Sequence, residues 1–164
     1  MSVRRGRRLG IDVGRARVGV ATCDLDGLIA TPVETVPRDE RTVLVLREIV
    51  DEYSPIEVVV GLPLSLSGAD TPSTDDARAL AAEIATALAA VPAADGQSGI
   101  PVVLVDERMS TVTAQRQLRE SGKKARKQRP VVDQAAAVII LQTALDAERA
   151  SGRQPGTPVT PEGS

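Results

Sequence analysis

The sequence predicts an α/β domain built on a mixed five-stranded sheet with helices on both faces. Three observations predict it. Short alternating or continuous apolar runs at residues 8–14, 18–24, 28–36, 56–60 and 102–105 read as strands. The first three follow one another through short turns, which gives an antiparallel meander. From residue 41 onward strands alternate with helical patterns, which gives βαβ units and parallel pairing.

The elements follow in order. Residues 1–7 are basic and lack periodicity, so they read as a flexible arm. Arg8–Gly14 and Val18–Asp24 are joined by the turn at Gly14–Arg17, and Asp26-Gly27 is a hairpin signal before the third strand. Arg41–Tyr53 has helical spacing in Val45 and Ile49, flanked by Leu46 and Val50. Ile56–Val60 reads as a strand buried on both faces, ended by Gly61-Leu62-Pro63. Thr74–Ala90 is an alanine-rich helix with Ser73 or Thr74 as its N-cap. Val102–Val105 is another buried strand. Ser110–Glu120 reads as a helix ended by Gly122, residues 123–129 as a basic loop, and Val131–Arg149 as a long apolar helix with Pro130 near its first turn. The domain spans residues 8–150, and the Pro-, Gly- and Thr-rich residues 151–164 are expected to be disordered.

Composition narrows the chemistry. The 164 residues include no histidine. That excludes a Ser-His-Asp triad, a histidine base and a histidine metal ligand. Tyr53 is the only aromatic residue, so no platform exists for stacking bases, and any nucleic acid must be read through phosphates and shape. The net charge is −2, yet eleven of the twenty Lys and Arg residues fall in two clusters: Arg4, Arg5, Arg7, Arg8, and Arg116, Arg119, Lys123, Lys124, Arg126, Lys127, Arg129. Local basic patches on an acidic body suit an enzyme that grips a polyanion at one place. Cys23 stands alone and reads as a small buried hydrophobe. An intermolecular disulfide is open to it if the thiol is exposed. There is no secretory h-region and no membrane-length apolar run, so a cytoplasmic location and no membrane partner are expected.

Three acids stand out. Asp12 interrupts an apolar strand, where Gly10, Asp12 and Gly14 share one face and leave room for close approach to the backbone. Its alternative is a structural carboxylate bonded to backbone N–H groups. Glu107 ends a buried strand, at the sheet edge where α/β proteins bind ligands. Its alternative is an ion pair with Arg108 or a helix-dipole role. Asp106 takes no functional assignment. Asp133 opens an apolar helix on the stripe of Ala137 and Ile140, which directs it toward the sheet, although dipole compensation is the alternative. Carboxylates converging from three segments would hold two divalent cations about 3.5–4 Å apart, and all-oxygen ligands select Mg²⁺ or Mn²⁺. The basic run Lys123, Lys124, Arg126 and Lys127, just before Asp133, is a phosphate-contact candidate. Arg15 and Arg17 in the turn after Asp12 are candidates of the same kind.

Four segments carry a family resemblance: LGIDVGRARVGVA, VVVGLPLSLSG, VDERMSTVTAQ and VVDQAAAVIILQTAL, in that order from Leu9 to Leu145. Together they resemble the YqgF/RuvX family, whose members have a ribonuclease H-like fold. The resemblance implies that Asp12, Glu107 and Asp133 are the catalytic, metal-holding acids. It implies that Gly61, Pro63, Arg108, Ser110 and Thr111 line the same cleft. It further implies a metal-dependent endonuclease acting on structured nucleic acid, most directly at the 5′ end of the small-subunit (16S) ribosomal RNA precursor. In-line attack by a metal-activated water at such a site is expected to leave a 5′-phosphate and a 3′-hydroxyl. The alternative is Holliday junction resolution. That reaction needs paired active sites and hence a homodimer, whereas RNA processing is open to a monomer. Two other readings are a non-catalytic RNA-binding protein and an ATP-binding relative of the same core. Val13 and Gln134 depart from the family pattern, which usually has an aromatic residue at the first position and often a serine at the second.

Overall fold

The structure is a computed structural model that describes residues 4–94, 96, 98–109 and 125–161, with the side chains of 109 and 125–133 outside that description. The strands are β1 (Arg8–Val13), β2 (Arg17–Cys23), β3 (Ala30–Pro37), β4 (Glu57–Leu62), β5 (Val102–Asp106) and β6 (Thr157–Pro158). The described helices are α1 (Thr42–Tyr53), α2 (Pro72–Leu88) and α3 (Ala125–Ser151). The strands form one sheet in the order β3-β2-β1-β4-β5-β6. β1 to β3 pair antiparallel, β1 pairs parallel with β4, and β4 pairs parallel with β5. This is the mixed meander-plus-βαβ sheet that the sequence predicts.

The two faces of the sheet are packed differently. Leu9, Ile11, Val13, Val58 and Val60 meet Leu46, Ile49 and Val50 of α1 and Leu80, Ile84 and Leu88 of α2. The opposite face carries Ala21, Cys23, Val59 and Val103 against Ala136, Ala137, Ile140, Leu141, Ala144 and Leu145 of α3. Period-two alternation along each strand therefore separates large residues from small ones. The small face lets α3 lie close to the sheet: a Cβ on Gly10 would stand 2.7 Å from the Leu141 Cβ and 2.9 Å from the Ala137 carbonyl oxygen.

Four expectations are corrected. The sheet has six strands rather than five, because Thr157–Pro158, in the tail given as disordered, pairs antiparallel with β5. Gly156 turns the chain there (φ +79°), and the Val159 N–H donates to the Val102 carbonyl at 2.8 Å, so the open edge of β5 finds a partner. α2 starts at Pro72, with Thr71 as its N-cap in a capping box with Thr74. α3 starts at Ala125, so residues 125–129 of the expected basic loop are helical. A run of good helix formers carries the helix back past Pro130, at the cost of one backbone hydrogen bond. Residues 4–7 of the expected flexible arm are held: the Gly6 N–H donates to the Leu25 carbonyl at 2.8 Å, and Arg4 enters a buried ionic cluster. The expected helix Ser110–Glu120 lies outside the described residues. Cys23 is buried, so the intermolecular disulfide left open for an exposed thiol has no accessible sulfur, and burial pushes the thiol pKa up.

The cluster sits at the end of the sheet where β1 and β4 begin, with Arg8 and Glu57 in register. Arg4 Nη2 lies 2.7 Å from Glu148 Oε1 and 3.1 Å from Glu57 Oε1, and Arg8 Nη2 lies 2.9 Å from Glu148 Oε2. Glu57 Oε2 is buried and accepts no hydrogen bond from the described residues. Burial, opposed by Arg4, raises the Glu57 pKa. Burial also pushes Glu148 up, but hydrogen bonds and charge from Arg4, with Arg8, outweigh it and lower its pKa. The signs are opposite. The contribution of Glu148 is present above the ordinary glutamate range and is lost as pH falls through its depressed value. The contribution of Glu57 is present in acid and is lost as pH rises through its raised value. Glu148→Gln should therefore cost about 3 kcal/mol at neutral pH in urea unfolding, because it strands buried arginine charge. Glu57→Gln should cost less than Glu148→Gln, and should gain on wild type as pH rises from acid to neutral.

Candidate active site

The site is built at the other end of the sheet, where the parallel strands finish. Asp12 is 0% exposed, in the third strand of six. Its cross-strand partner on β2 is Gly19. On β4 the register Ile11↔Val60, continued by one residue, sets Gly61 beside it. Gly10 precedes it on the same face. A fully buried carboxylate thus stands among bare backbone, with no neighbouring side chain on either adjoining strand at its level.

Glu107 enters from β5. It is 2% exposed and begins a 3₁₀ turn, Glu107–Met109. A Cβ on Gly61 would lie 2.7 Å from Glu107 Oε1 and 2.5 Å from Ile140 Cδ1. The Glu107 carboxylate therefore rests directly over the Gly61 backbone, on the face that α3 covers. Position 133 lies one helical turn before Ala137, on the stripe of α3 that faces the sheet. Its side chain is outside the described residues. Among the described residues no group of three acids is assembled. Asp12, set beside Gly61 by the continued register, and Glu107, which stands over Gly61, are buried oxygen donors, without nitrogen or sulfur. That donor set fits a hard divalent cation.

The rim is made by residues the sequence treats unevenly. Arg108 does not pair with Glu107. Its Nε and Nη2 donate to Asp106 at 3.1 and 2.7 Å, and its guanidinium holds the Asp106 carboxyl below the usual range. Arg108 Nη1 also reaches the Leu66 carbonyl at 3.4 Å, which fastens the loop after β4 to the turn carrying Glu107. Pro63 is buried, and its carbonyl accepts from the Thr74 hydroxyl, so the first turn of α2 is fixed under the same loop. Arg15 is exposed in the turn after Asp12, and Arg17 opens β2. That turn is braced by a residue the sequence reading misses. Arg38 donates to the Gly14 carbonyl at 2.9 Å and makes two bonds to Asp76, at 2.9 and 3.0 Å. No local pattern pairs residues 38 and 76. Arg126 and Lys127 lie in the first turn of α3, with side chains outside the described set. Ser110, Thr111, Lys123 and Lys124 lie outside the described residues. The structure thus brings together Asp12, Gly61, Pro63, Glu107 and Arg108.

Comparisons with known proteins show the fold and the family. Among solved structures, Thermus thermophilus RuvC, determined in complex with a Holliday junction substrate, matches with a TM-score of 0.55 at 16% identity, over 93% of this chain and 98% of that one. At that identity the likeness establishes the fold, which is ribonuclease H-like. The family described as "RuvX: Holliday junction resolvase" matches residues 6–147, and the chain belongs to it. A Streptomyces avermitilis protein named "Putative pre-16S rRNA nuclease" is 56% identical over 158 residues, covering 95% of this chain and 96% of its own. A Streptomyces coelicolor protein of the same name is 58% identical over 156 residues, covering 94% of this chain and 88% of its own.

Gly61→Ala tests the close approach of Glu107 to Gly61. The added methyl must displace Glu107 or Ile140. Nuclease activity should fall at least tenfold, with a stability loss of about 1–3 kcal/mol in urea unfolding. A fully active variant would place Glu107 elsewhere.

Proposed function

We propose that this chain is a metal-dependent endonuclease that trims the 5′ end of the 16S ribosomal RNA precursor. The burial of Asp12 and Glu107 around Gly61 carries the reading, since two buried acids beside a polyanion's path repel it unless cations intervene. Asp12, Glu107 and Asp133 would hold Mg²⁺ or Mn²⁺, which supply Lewis acidity to the phosphodiester and make water a stronger nucleophile near neutral pH. The chain's own residues do the rest. Gly19 and Gly61 keep side chains of the adjoining strands away from the Asp12 carboxylate. Pro63 fixes the floor of the loop above Gly61. Arg108, oriented by Asp106, faces the rim, with Ser110 and Thr111 following it in sequence. Arg15, Arg17, Lys123, Lys124, Arg126 and Lys127 neutralise the flanking phosphates and set the register of the strand. Residues 8–150 act as the nuclease unit, in the cytoplasm. No helix among the described residues is long and apolar enough to cross a membrane.

The family's description and the RuvC fold support a second reading, cleavage of four-way DNA junctions. It requires a two-fold dimer to present paired sites.

The test sets wild type beside Asp12→Asn, with Mg²⁺ or Mn²⁺, on a precursor 16S 5′ leader and a four-way junction, with solution mass measured in parallel. Wild type should cut the RNA, and Asp12→Asn should bind it with little change but not cut. Cutting of the junction alone, by a dimer, would establish the second reading. Equal cutting by the variant would remove Asp12 from the mechanism. Arg126→Ala with Lys127→Ala should weaken binding and reduce the slope of log K against log salt by about one per cation removed.

A further inference from the structure

We infer that Gln134 is a positioning residue, which holds the start of α3, and with it Asp133, in place over the site through a hydrogen bond to Thr35. The inference rests on the assignment of Asp133 proposed above.

α3 lies on the sheet through a smooth surface. Ala136, Ala137 and Ala144 face Ala21 and the bare backbone of Gly10, with Ile140, Leu141 and Leu145 beside them. Methyl groups over glycine make shallow ridges and grooves, so packing alone resists sliding or rotation of the helix weakly. Two glutamines supply directional ties to the edge strand β3 and its approach. Gln142 Nε2 donates to the Leu28 carbonyl at 2.9 Å, and its Oε1 accepts from the Ala30 N–H at 2.9 Å. Gln134 Nε2 donates to Thr35 Oγ1 at 3.0 Å. Ties at two separated points on one strand fix both the translation and the rotation of the helix.

The two ties differ in what they hold. Gln142 anchors the helix two turns away from the site, about 12 Å along its axis. Gln134 adjoins Asp133. Its partner lies on a particular row of the sheet, for Gly19 pairs with Asp12 on one side and with Thr35 on the other. Asp12 and Thr35 therefore stand two strand spacings apart, about 10 Å, with only a glycine between them. The Gln134–Thr35 bond refers the beginning of α3 to the same row that carries Asp12. Misplacing a reacting or ligating group by about 1 Å costs up to about a hundredfold in rate.

The test measures kcat and KM on the RNA leader, Mn²⁺ affinity without substrate, and urea stability. Gln134→Leu and Thr35→Val should each lower kcat about tenfold or more and weaken Mn²⁺ binding by a similar factor, with KM little changed. Gln134→Leu should cost little further in a Thr35→Val background, as expected of two ends of one interaction. Thr35→Ser, which keeps the acceptor oxygen, should retain wild-type values. Gln142→Leu should lose comparable stability but keep kcat and Mn²⁺ affinity, which separates positioning from general support of the fold. Wild-type kcat and Mn²⁺ affinity in Gln134→Leu, or an equal kcat loss in Gln142→Leu, would overturn the inference. Asp133→Asn distinguishes the two levels. If it is inactive while Gln134→Leu is unimpaired, only the positioning role fails. If it cleaves like wild type, the assignment of Asp133 fails and the positioning role with it.

Discussion

A fully buried carboxylate in an interior strand is the constraint around which the rest of this structure is arranged. In the proposed role Asp12 would be charged to hold a cation, and charge is costly to bury unless it is paired or bound to metal. Gly19 and Gly61 flank it across the sheet and Gly10 precedes it, so no side chain of the adjoining strands stands at its level, while Ile140 and Leu141 of α3 close over Gly61 and Gly10. The same glycines set the helix packing. Because Gly10 has no Cβ, α3 can approach β1 closely, with Leu141 and the Ala137 carbonyl directly over it. One choice of residue size thus serves electrostatics and geometry together.

The large residues needed for stability lie on the other face. Leu9, Ile11, Val13, Val58 and Val60 pack with α1 and α2 and form the conventional core. At the far end of the strands, Arg4, Arg8, Glu57 and Glu148 tie the N-terminal segment, β4 and the last turns of α3 to one another. The long helix is therefore held by charge at one end and by amide hydrogen bonds along its length, while its sheet-facing stripe stays smooth and close. The rim follows the same pattern, with Asp106–Arg108 and Arg38–Asp76 bracing the loops around the carboxylates.

Much of this was legible in the sequence because it follows from local periodicity. Alternation put Asp12 with Gly10 on one face, a continuous apolar run marked β4, and apolar helical spacing marked α3. Those are the parts that generate the fold and set Asp12 beside Gly61. What was not legible depends on distant partners. Arg4 meets Glu148 across 144 positions and Gln134 meets Thr35 across 99, and no pattern within either segment announces the other. The tail strand was hidden because two residues carry no periodicity, and it exists because β5 has an open edge. Arg108 was legible as a rim residue but not in its pairing, since Asp106 and Glu107 offer equivalent charges in sequence. Burial of Glu107 and exposure of Arg108 decide that Asp106 is the partner.

The measurement that tests the account most directly is the thermal unfolding midpoint of wild type and of Asp12→Asn as Mn²⁺ is added, without substrate. If the buried carboxylates form a cation site, wild type rises steadily with Mn²⁺ in proportion to the logarithm of its concentration, while Asp12→Asn stays flat. Parallel curves for the two proteins, or an Asp12→Asn variant that unfolds earlier without metal and responds to it equally, would make Asp12 a structural carboxylate and contradict the account.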